Sequence, residues 1–258
     1  EHFPLEELPA GTVRTFLYYL TAAFVGSMDL EPAFRELGRL RAHLERDPDP
    51  RTGFRARRLL VALSLQIGSY GDAVRELEAL AAAPELDGPP FEPLDRLWVL
   101  NNLGFGLHRS GRPAEALAVL DRAGAVLAGL TLTERERRYY RTFLDVNRGE
   151  AHLQLGELED LEALLPGIRA GARDTGNPQL QAVGAYLSGM RYLYRGDEAA
   201  AEADLARGAA LADRIATREW QPRLLDALGR AREARGDAAG ALEALRRAEA
   251  VRQDLRRD

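Results

Sequence analysis

The sequence predicts an all-α fold, a right-handed α-solenoid of about six helical hairpins. Strong helix formers dominate its 258 residues, of which 46% are hydrophobic, and β-branched residues are few. Glycines recur every 40 to 45 residues, and the small and large residues around them keep a constant spacing. A repeat of this period is typical of stacked helical hairpins, in which each hairpin buries its apolar face against the next.

The glycines mark the turn inside each hairpin. They are Gly68, Gly111, Gly156, Gly196 and Gly236, and they are separated by 43, 45, 40 and 40 residues. A sixth, more diverged copy precedes them, with Met28 in the glycine position, 40 residues before Gly68.

The positions around each turn form a packing pattern. Five residues after the turn lie Ala33, Ala73, Ala116, Leu161, Ala201 and Ala241. Nine residues after it lie Leu37, Leu77, Leu120, Leu165, Leu205 and Leu245. Seven residues before it lie Thr21, Val61, Gly104, Gly149, Gly189 and Gly229. A small residue facing another small residue, with a leucine one turn later, predicts ridge-into-groove contact between the paired helices.

Helix start signals agree with this division. Pro113 suits a first helical turn, Asn177 precedes a proline as a capping residue, and Thr133 with Glu136 forms a capping-box pattern. We predict one solenoid domain over 1–258, with repeats near 12–46, 53–83, 94–129, 134–171, 179–215 and 220–256. The segment 84–93, rich in proline and glycine, is the strongest loop signal and predicts a bend between two-repeat and four-repeat halves.

Two stretches resemble the tetratricopeptide repeat (TPR) signature. They are Leu100, Leu103, Gly104, Leu107, Gly111, Ala116, Leu120, Ala123 and Leu225, Leu228, Gly229, Gly236, Ala241, Leu245, Ala248. The resemblance covers nearly the whole chain, although its repeats exceed the usual length of about 34 residues, as in bacterial regulators and kinesin light chains. It implies a protein- or peptide-binding module, acting as a scaffold or as the sensor part of a larger bacterial signalling or transcription-regulating protein.

The first helix of each hairpin is expected to line a concave groove, as in stacked repeats generally. Helical periodicity then predicts which side chains face the groove. The candidate ligand-binding residues are Tyr18, Tyr19, Arg55, Arg58, Trp98, Asn101, Asn102, Phe105, Phe143, Asn147, Glu150, Tyr186, Met190 and Arg230.

Asn102 and Asn147 occupy the same position in successive repeats. An amide both donates and accepts, so a ladder of such groups can satisfy a peptide backbone. Arg58 nearby can hold a carboxylate with two parallel hydrogen bonds. The plainer interpretation is that both asparagines are solvated on an exposed helix face.

Several function classes lack a signal in the sequence. All 35 basic residues are arginines scattered among acidic ones, so no positive patch for nucleic acid is expected. There is no apolar stretch of membrane-spanning length, no cysteine, no histidine pair with metal-ligand spacing and no phosphate-binding glycine loop. We therefore expect no cofactor, no metal, no catalytic residues and a cytoplasmic location.

The role of the C-terminal run and the class of function both stay open at this point. The chain begins at Glu1 and ends within a helical run, 250–258, which predicts an excerpt from a longer protein. That run either leads into an output domain or caps the solenoid with a polar helix. An α-helical enzyme using the concave cavity and a structural unit that forms homo-oligomers are the competing functions.

Overall fold

A computed structural model describes residues 9–26, 30–215 and 220–255. Of the described residues, 87% are helical and none lies in a strand, which confirms the all-α helical-repeat class. The twelve helices described are α1 Ala10–Gly26, α2 Leu30–Arg46, α3 Pro50–Gln66, α4 Tyr70–Ala82, α5 Pro93–Arg109, α6 Pro113–Gly129, α7 Glu134–Leu155, α8 Leu158–Thr175, α9 Pro178–Arg195, α10 Glu198–Arg214, α11 Trp220–Ala234 and α12 Ala238–Leu255. Met28 lies outside the described residues.

The turn glycines adopt the backbone conformation that makes glycine the preferred residue there. Gly68, Gly111, Gly156, Gly196 and Gly236 have φ angles of 75°, 81°, 76°, 74° and 82°. A side chain would be strained in this left-handed region, whereas glycine enters it without steric cost. The regular spacing of these residues therefore reflects the geometry of helix termination.

The predicted helix caps are present. At the start of α7, the Thr133 backbone N–H donates to a Glu136 carboxylate oxygen at 2.9 Å, and the Glu136 N–H donates to the Thr133 hydroxyl at 3.3 Å. The Thr133 hydroxyl also donates to Glu136, which lowers the pKa of that carboxyl from its usual value. The Asn177 side chain accepts from the backbone N–H groups of Gln179 and Leu180 at the start of α9.

The chain divides into two compact units, Glu1–Gly111 and Arg112–Asp258. We refer to these as the first and the second unit. The first contains α1 to α5, and the second contains α6 to α12, so the third predicted hairpin contributes one helix to each. Residues 84–93 hold a short 3-10 helix, Pro84–Asp87, followed by a loop. A bend at this segment stays a prediction.

In the first unit, α1 pairs with α2, and α3 pairs with α4. The first helices of these hairpins, α1 and α3, also contact each other. One apolar core joins α1, α2 and α3, with its buried residues Val13, Leu17, Ala33, Leu37, Leu40, Ala56 and Leu63.

In the second unit, three hairpins stack in chain order: α7 with α8, α9 with α10 and α11 with α12. Their first helices also contact one another, α7 with α9 and α9 with α11. We call α7, α9 and α11 the inner helices of the second unit. The middle helix α9 is buried continuously over residues 182–190, because its neighbours cover it on every side.

The small residues before each turn lie where two helices approach closely. A Cβ atom placed on Gly189 would stand 2.5 Å from Leu205 Cγ and 3.3 Å from the Ala201 carbonyl oxygen. A Cβ on Gly229 would stand 3.0 Å from Leu245 Cγ and 3.4 Å from the Ala241 carbonyl oxygen. Both contacts join the positions that the repeat spacing predicts, so the packing pattern is confirmed in the last two hairpins.

Replacing Gly189 or Gly229 with leucine should lower the free energy of unfolding by about 1 to 3 kcal/mol, because the added side chain forces the paired helices apart. The loss of stability should be larger for Gly189→Leu than for Gly229→Leu, since the neighbours of Gly189 are closer. Urea denaturation measures the effect. Gly38→Leu in α2 is the matched control, since a Cβ there meets nothing within 4 Å. A control that loses as much stability as the two variants would rule out the close-contact explanation.

The leucine nine residues after each turn was predicted to lie in the core, and this prediction is confirmed in five repeats and wrong in the last. Leu37, Leu77, Leu120, Leu165 and Leu205 are buried, whereas Leu245 is 42% exposed. The physical reason is position, because Leu245 lies on α12 and the described part of the chain supplies no further helix beyond it.

Candidate functional site

The inner side chains predicted on α1 and α3 form an aromatic and cationic group. The rings of Tyr18 and Tyr19 meet edge to face at 5.1 Å, and the Arg55 guanidinium lies 5.4 Å from the Tyr18 ring centre. Tyr19 is 63% exposed, so it offers an aromatic surface to solvent. The structure thus brings Tyr18, Tyr19 and Arg55 together, as the repeat positions predict.

Arg58 on α3 is held by α5 of the same unit. Its guanidinium lies 4.4 Å from the Trp98 ring centre, and its Nη1 is 3.5 Å from a carboxylate oxygen of Asp95. A guanidinium over an indole ring is a favourable cation–π geometry. The carboxylate that Arg58 holds in this structure is therefore one of the chain's own.

The other predicted residues of α5 are half-buried. The Asn102 side-chain nitrogen donates to the Trp98 carbonyl at 2.8 Å within the same helix, so one of its two N–H donors is already used. Phe105 packs edge-on against Tyr70 at 6.4 Å and against His108 at 5.3 Å. Asn101 lies beside Asn102 on the same helix and is half-buried as well.

The predicted residues of the second unit are more buried than an open groove requires. Asn147, Tyr186 and Met190 are buried, and Phe143 is half-buried against Tyr139 at 4.9 Å. Leu187 and Ala227 share the repeat position of Asn147 and are fully buried too, which places this column in helix packing. Because Asn102 and Asn147 belong to different units, a ladder joining them stays a prediction.

A charged cluster joins the three inner helices of the second unit. Glu150 on α7, only 2% exposed, lies with a carboxylate oxygen 2.9 Å from Nη1 of Arg223 on α11. The Arg223 guanidinium stacks on two rings, 4.8 Å from the centre of Tyr186 and 4.1 Å from that of Trp220. The rings themselves meet edge to face at 5.5 Å. The ion pair thus spans α9, the helix that separates its two partners.

Arg230 extends the same surface toward the end of α11. Its side chain is exposed, and its Nη2 donates to the Met190 sulfur at 3.4 Å. The structure therefore brings Glu150, Tyr186, Met190 and Arg230 into one region of the second unit.

Arg223 and Trp220 are absent from the residues predicted on sequence. A signal for Arg223 exists, since it lies 13 residues before its turn glycine, Gly236. Arg55, Trp98 and Phe143 hold the same place before their own turn glycines. Trp220 lies one helical turn before Arg223, on the same face of α11.

Arginines at the start of α7 contact the neighbouring helices α6 and α8. A pocket of about 710 Å³ lies there, lined in part by Arg137, Arg138 and Arg141. Arg137 donates to the carbonyls of Leu127 and Leu130 at 3.0 and 2.8 Å, and so caps the end of α6. Arg138 pairs with Asp174 of α8. These contacts connect the start of α7 to α6 and α8.

Three side chains with metal-binding atoms meet at the turn between α7 and α8. His152, Glu157 and Asp160 place one such atom each within 4.8 Å of the others. His152 Nδ1 and a Glu157 carboxylate oxygen form a hydrogen bond at 2.7 Å, which explains the approach of these two, and both carboxylates are exposed.

Comparison with known proteins identifies the fold through structure. No family model and no curated protein matches the sequence. Aspartyl phosphate phosphatase F from Bacillus subtilis aligns at 14% identity over 98% of this chain and 61% of its own, with a TM-score of 0.71. The Rap conjugation gene regulator of plasmid pLS20, solved with the Phr* peptide, aligns at 15% identity over 97% and 78%, with a TM-score of 0.65.

Repeat proteins of another kind share the fold. A kinesin light chain of Podospora anserina with nearly identical TPR-like repeats aligns at 20% identity over 80% of this chain and 97% of its own, with a TM-score of 0.54.

Within the described residues, no helix is both long and apolar enough to cross a membrane.

Proposed function

Because the chain has the fold of TPR-like helical-repeat proteins, we propose that it is a binding module that recognises a peptide or an extended protein segment through side chains on the first helices of its hairpins. The observation that carries this proposal is the charged and aromatic chemistry of those helices. Arg55 with Tyr18, Arg58 with Trp98, and Arg223 with Tyr186 and Trp220 place guanidinium groups on aromatic rings. Aromatic and arginine side chains dominate the energetics of protein recognition surfaces.

The energetics of the Glu150–Arg223 pair support this role. Removing two charges from water costs several kcal/mol per ion, and well-packed apolar residues are often equally stable in such places. Packing alone therefore does not require a buried ion pair among the inner helices. A binding surface does benefit from one, because charged groups held in place discriminate between ligands.

We further propose a regulatory role, as the sensor or scaffold part of a larger signalling or transcription-regulating protein. One similar structure supports it, since that protein is named a conjugation gene regulator and was solved with a peptide. In this proposal the ligand is a peptide or protein, and binding in turn controls an output domain or a partner. Catalysis by the module itself is not part of the proposal.

Partner capture tests the proposed binding surface directly. Asn102→Ala and Trp98→Ala should each weaken partner binding by about 1 kcal/mol or more. Trp98→Ala removes the ring beneath Arg58, and Asn102→Ala removes a half-buried amide that can bond a peptide backbone. Binding is measured by quantitative recovery of co-purified proteins from a lysate, followed by titration of any identified partner.

The matched control is Arg246→Ala, which changes an exposed side chain on α12, away from the inner helices. Melting temperatures of all variants establish that each is folded before binding is compared. If wild type, Arg246→Ala, Asn102→Ala and Trp98→Ala recover every partner equally, the partner binds elsewhere on the chain. The proposed binding surface is then wrong.

A further inference from the structure

The surroundings of the Arg223 guanidinium have the composition of a cation-binding site. Two aromatic rings, Tyr186 and Trp220, contact it at 4.8 and 4.1 Å, and the buried Glu150 carboxylate faces it at 2.9 Å. Aromatic faces attract cations, and the attraction grows when the site is removed from water. Tyr186, Trp220 and Glu150 together form what we call the cation cage.

The cage differs from the arginine–aromatic contact between Arg58 and Trp98 in the first unit. Arg58 on Trp98 has Asp95 as its carboxylate partner, at the longer distance of 3.5 Å and with that side chain 23% exposed. Glu150 is far more buried, and the cage therefore combines a desolvated negative charge with two ring faces. The cage is expected to bind guanidinium, which is planar and weakly hydrated, more readily than ammonium, which is compact and strongly hydrated.

Arg223 is the more exposed partner of the ion pair. Its side chain retains 23% exposure, whereas Glu150 is almost completely covered, so the occupant reaches solvent more easily than the charge that it neutralises. The long, flexible arginine stem allows the guanidinium to move outward while α11 stays in place.

We propose that the cation cage binds the guanidinium group of an arginine side chain in the ligand, and that Arg223 occupies this site as an internal substitute while the ligand is absent. The proposal rests on the proposed function for the identity of the ligand as a peptide. Its chemical core, a guanidinium site next to a buried carboxylate, does not depend on it.

An internal occupant lowers the apparent affinity for an external one, because the ligand binds only the fraction of molecules with an empty cage. Removing Arg223 should therefore open the cage to added guanidinium compounds. Removing Glu150 in addition should abolish that effect, since the rings alone lack the charge.

Chemical rescue tests the site without any peptide. Arg223→Ala should melt at a lower temperature than wild type, and millimolar methylguanidinium should raise its melting temperature by several degrees, since a compound that binds only the folded state stabilises it. Methylurea has the same shape without the charge, and sodium chloride matches the ionic strength. Neither should have this effect. Wild type and the double variant Arg223→Ala with Glu150→Gln should not respond to methylguanidinium.

If Arg223→Ala does not fold unaided, the recovery of soluble protein after refolding in methylguanidinium, compared with methylurea, is the same test. Equal effects of the two compounds on Arg223→Ala would overturn the proposal, and so would an undiminished rescue when Glu150 is also replaced.

A second measurement connects the cage to peptide binding. A glycine pentapeptide with a central arginine should bind Arg223→Ala about tenfold more tightly than wild type, because the internal competitor is gone. The same peptide with citrulline, which is neutral and nearly isosteric, should show no such gain. Rescue by methylguanidinium without any arginine–citrulline difference would keep the cation site and refute its use for a peptide. Failure of partner capture alone would leave the rescue result standing.

Discussion

Replacing Trp220 with alanine should lower the free energy of unfolding by about 3 to 5 kcal/mol, the range for truncating a buried tryptophan. Trp220 begins α11 and is 3% exposed. Its ring packs against Tyr186 of α9 and lies beneath the Arg223 guanidinium. The substitution therefore removes a large apolar surface and a cation–π contact at once. Urea denaturation followed by far-UV circular dichroism measures the loss.

The chain contains a second tryptophan that serves as the control. Trp98 is half-buried on α5, so Trp98→Ala should cost clearly less stability, and its main effect should be on partner binding. Equal losses for the two variants would contradict the burial difference on which this expectation depends.

Leu120→Ala should cost about 2 to 5 kcal/mol, because it leaves a cavity in a close-packed core. Leu120 on α6 is fully buried. Leu245 holds the same place in the last repeat but is 42% exposed, so Leu245→Ala should cost much less. Comparing the two in the same denaturation assay separates the repeat position from burial. Similar losses at both sites would show that sequence register, and not exposure, sets the stability of this column.

The local features of the fold were predictable because they depend on residues close in the chain. The turn glycines, the Thr133–Glu136 capping box and the Asn177 cap all follow from backbone geometry within one helical turn. The contact of Gly189 with Ala201 and Leu205 was predictable as well, since the repeat places a small residue opposite another small one.

The environment of Glu150 was not predictable in the same way. Helical periodicity indicates the direction of a side chain, but it does not give the burial that neighbouring helices impose. Glu150 was expected to face a groove, and the structure buries it against Arg223, which was not among the predicted residues. Leu245 shows the opposite case, since it holds the repeat position of a core leucine but no helix after α12 among the described residues covers it.

The Glu150–Arg223 pair also has a consequence for the order in which the protein folds. Most packing in the second unit joins helices that are adjacent or next but one in the chain, and such short-range contacts form early. Glu150 and Arg223 are more than 70 residues apart in sequence, and their pairing requires α9 already in place between α7 and α11. We therefore expect the pair to form after the rate-limiting step of folding, so that its loss accelerates unfolding while the folding rate changes little. In that case the ion pair lengthens the time for which the folded second unit persists.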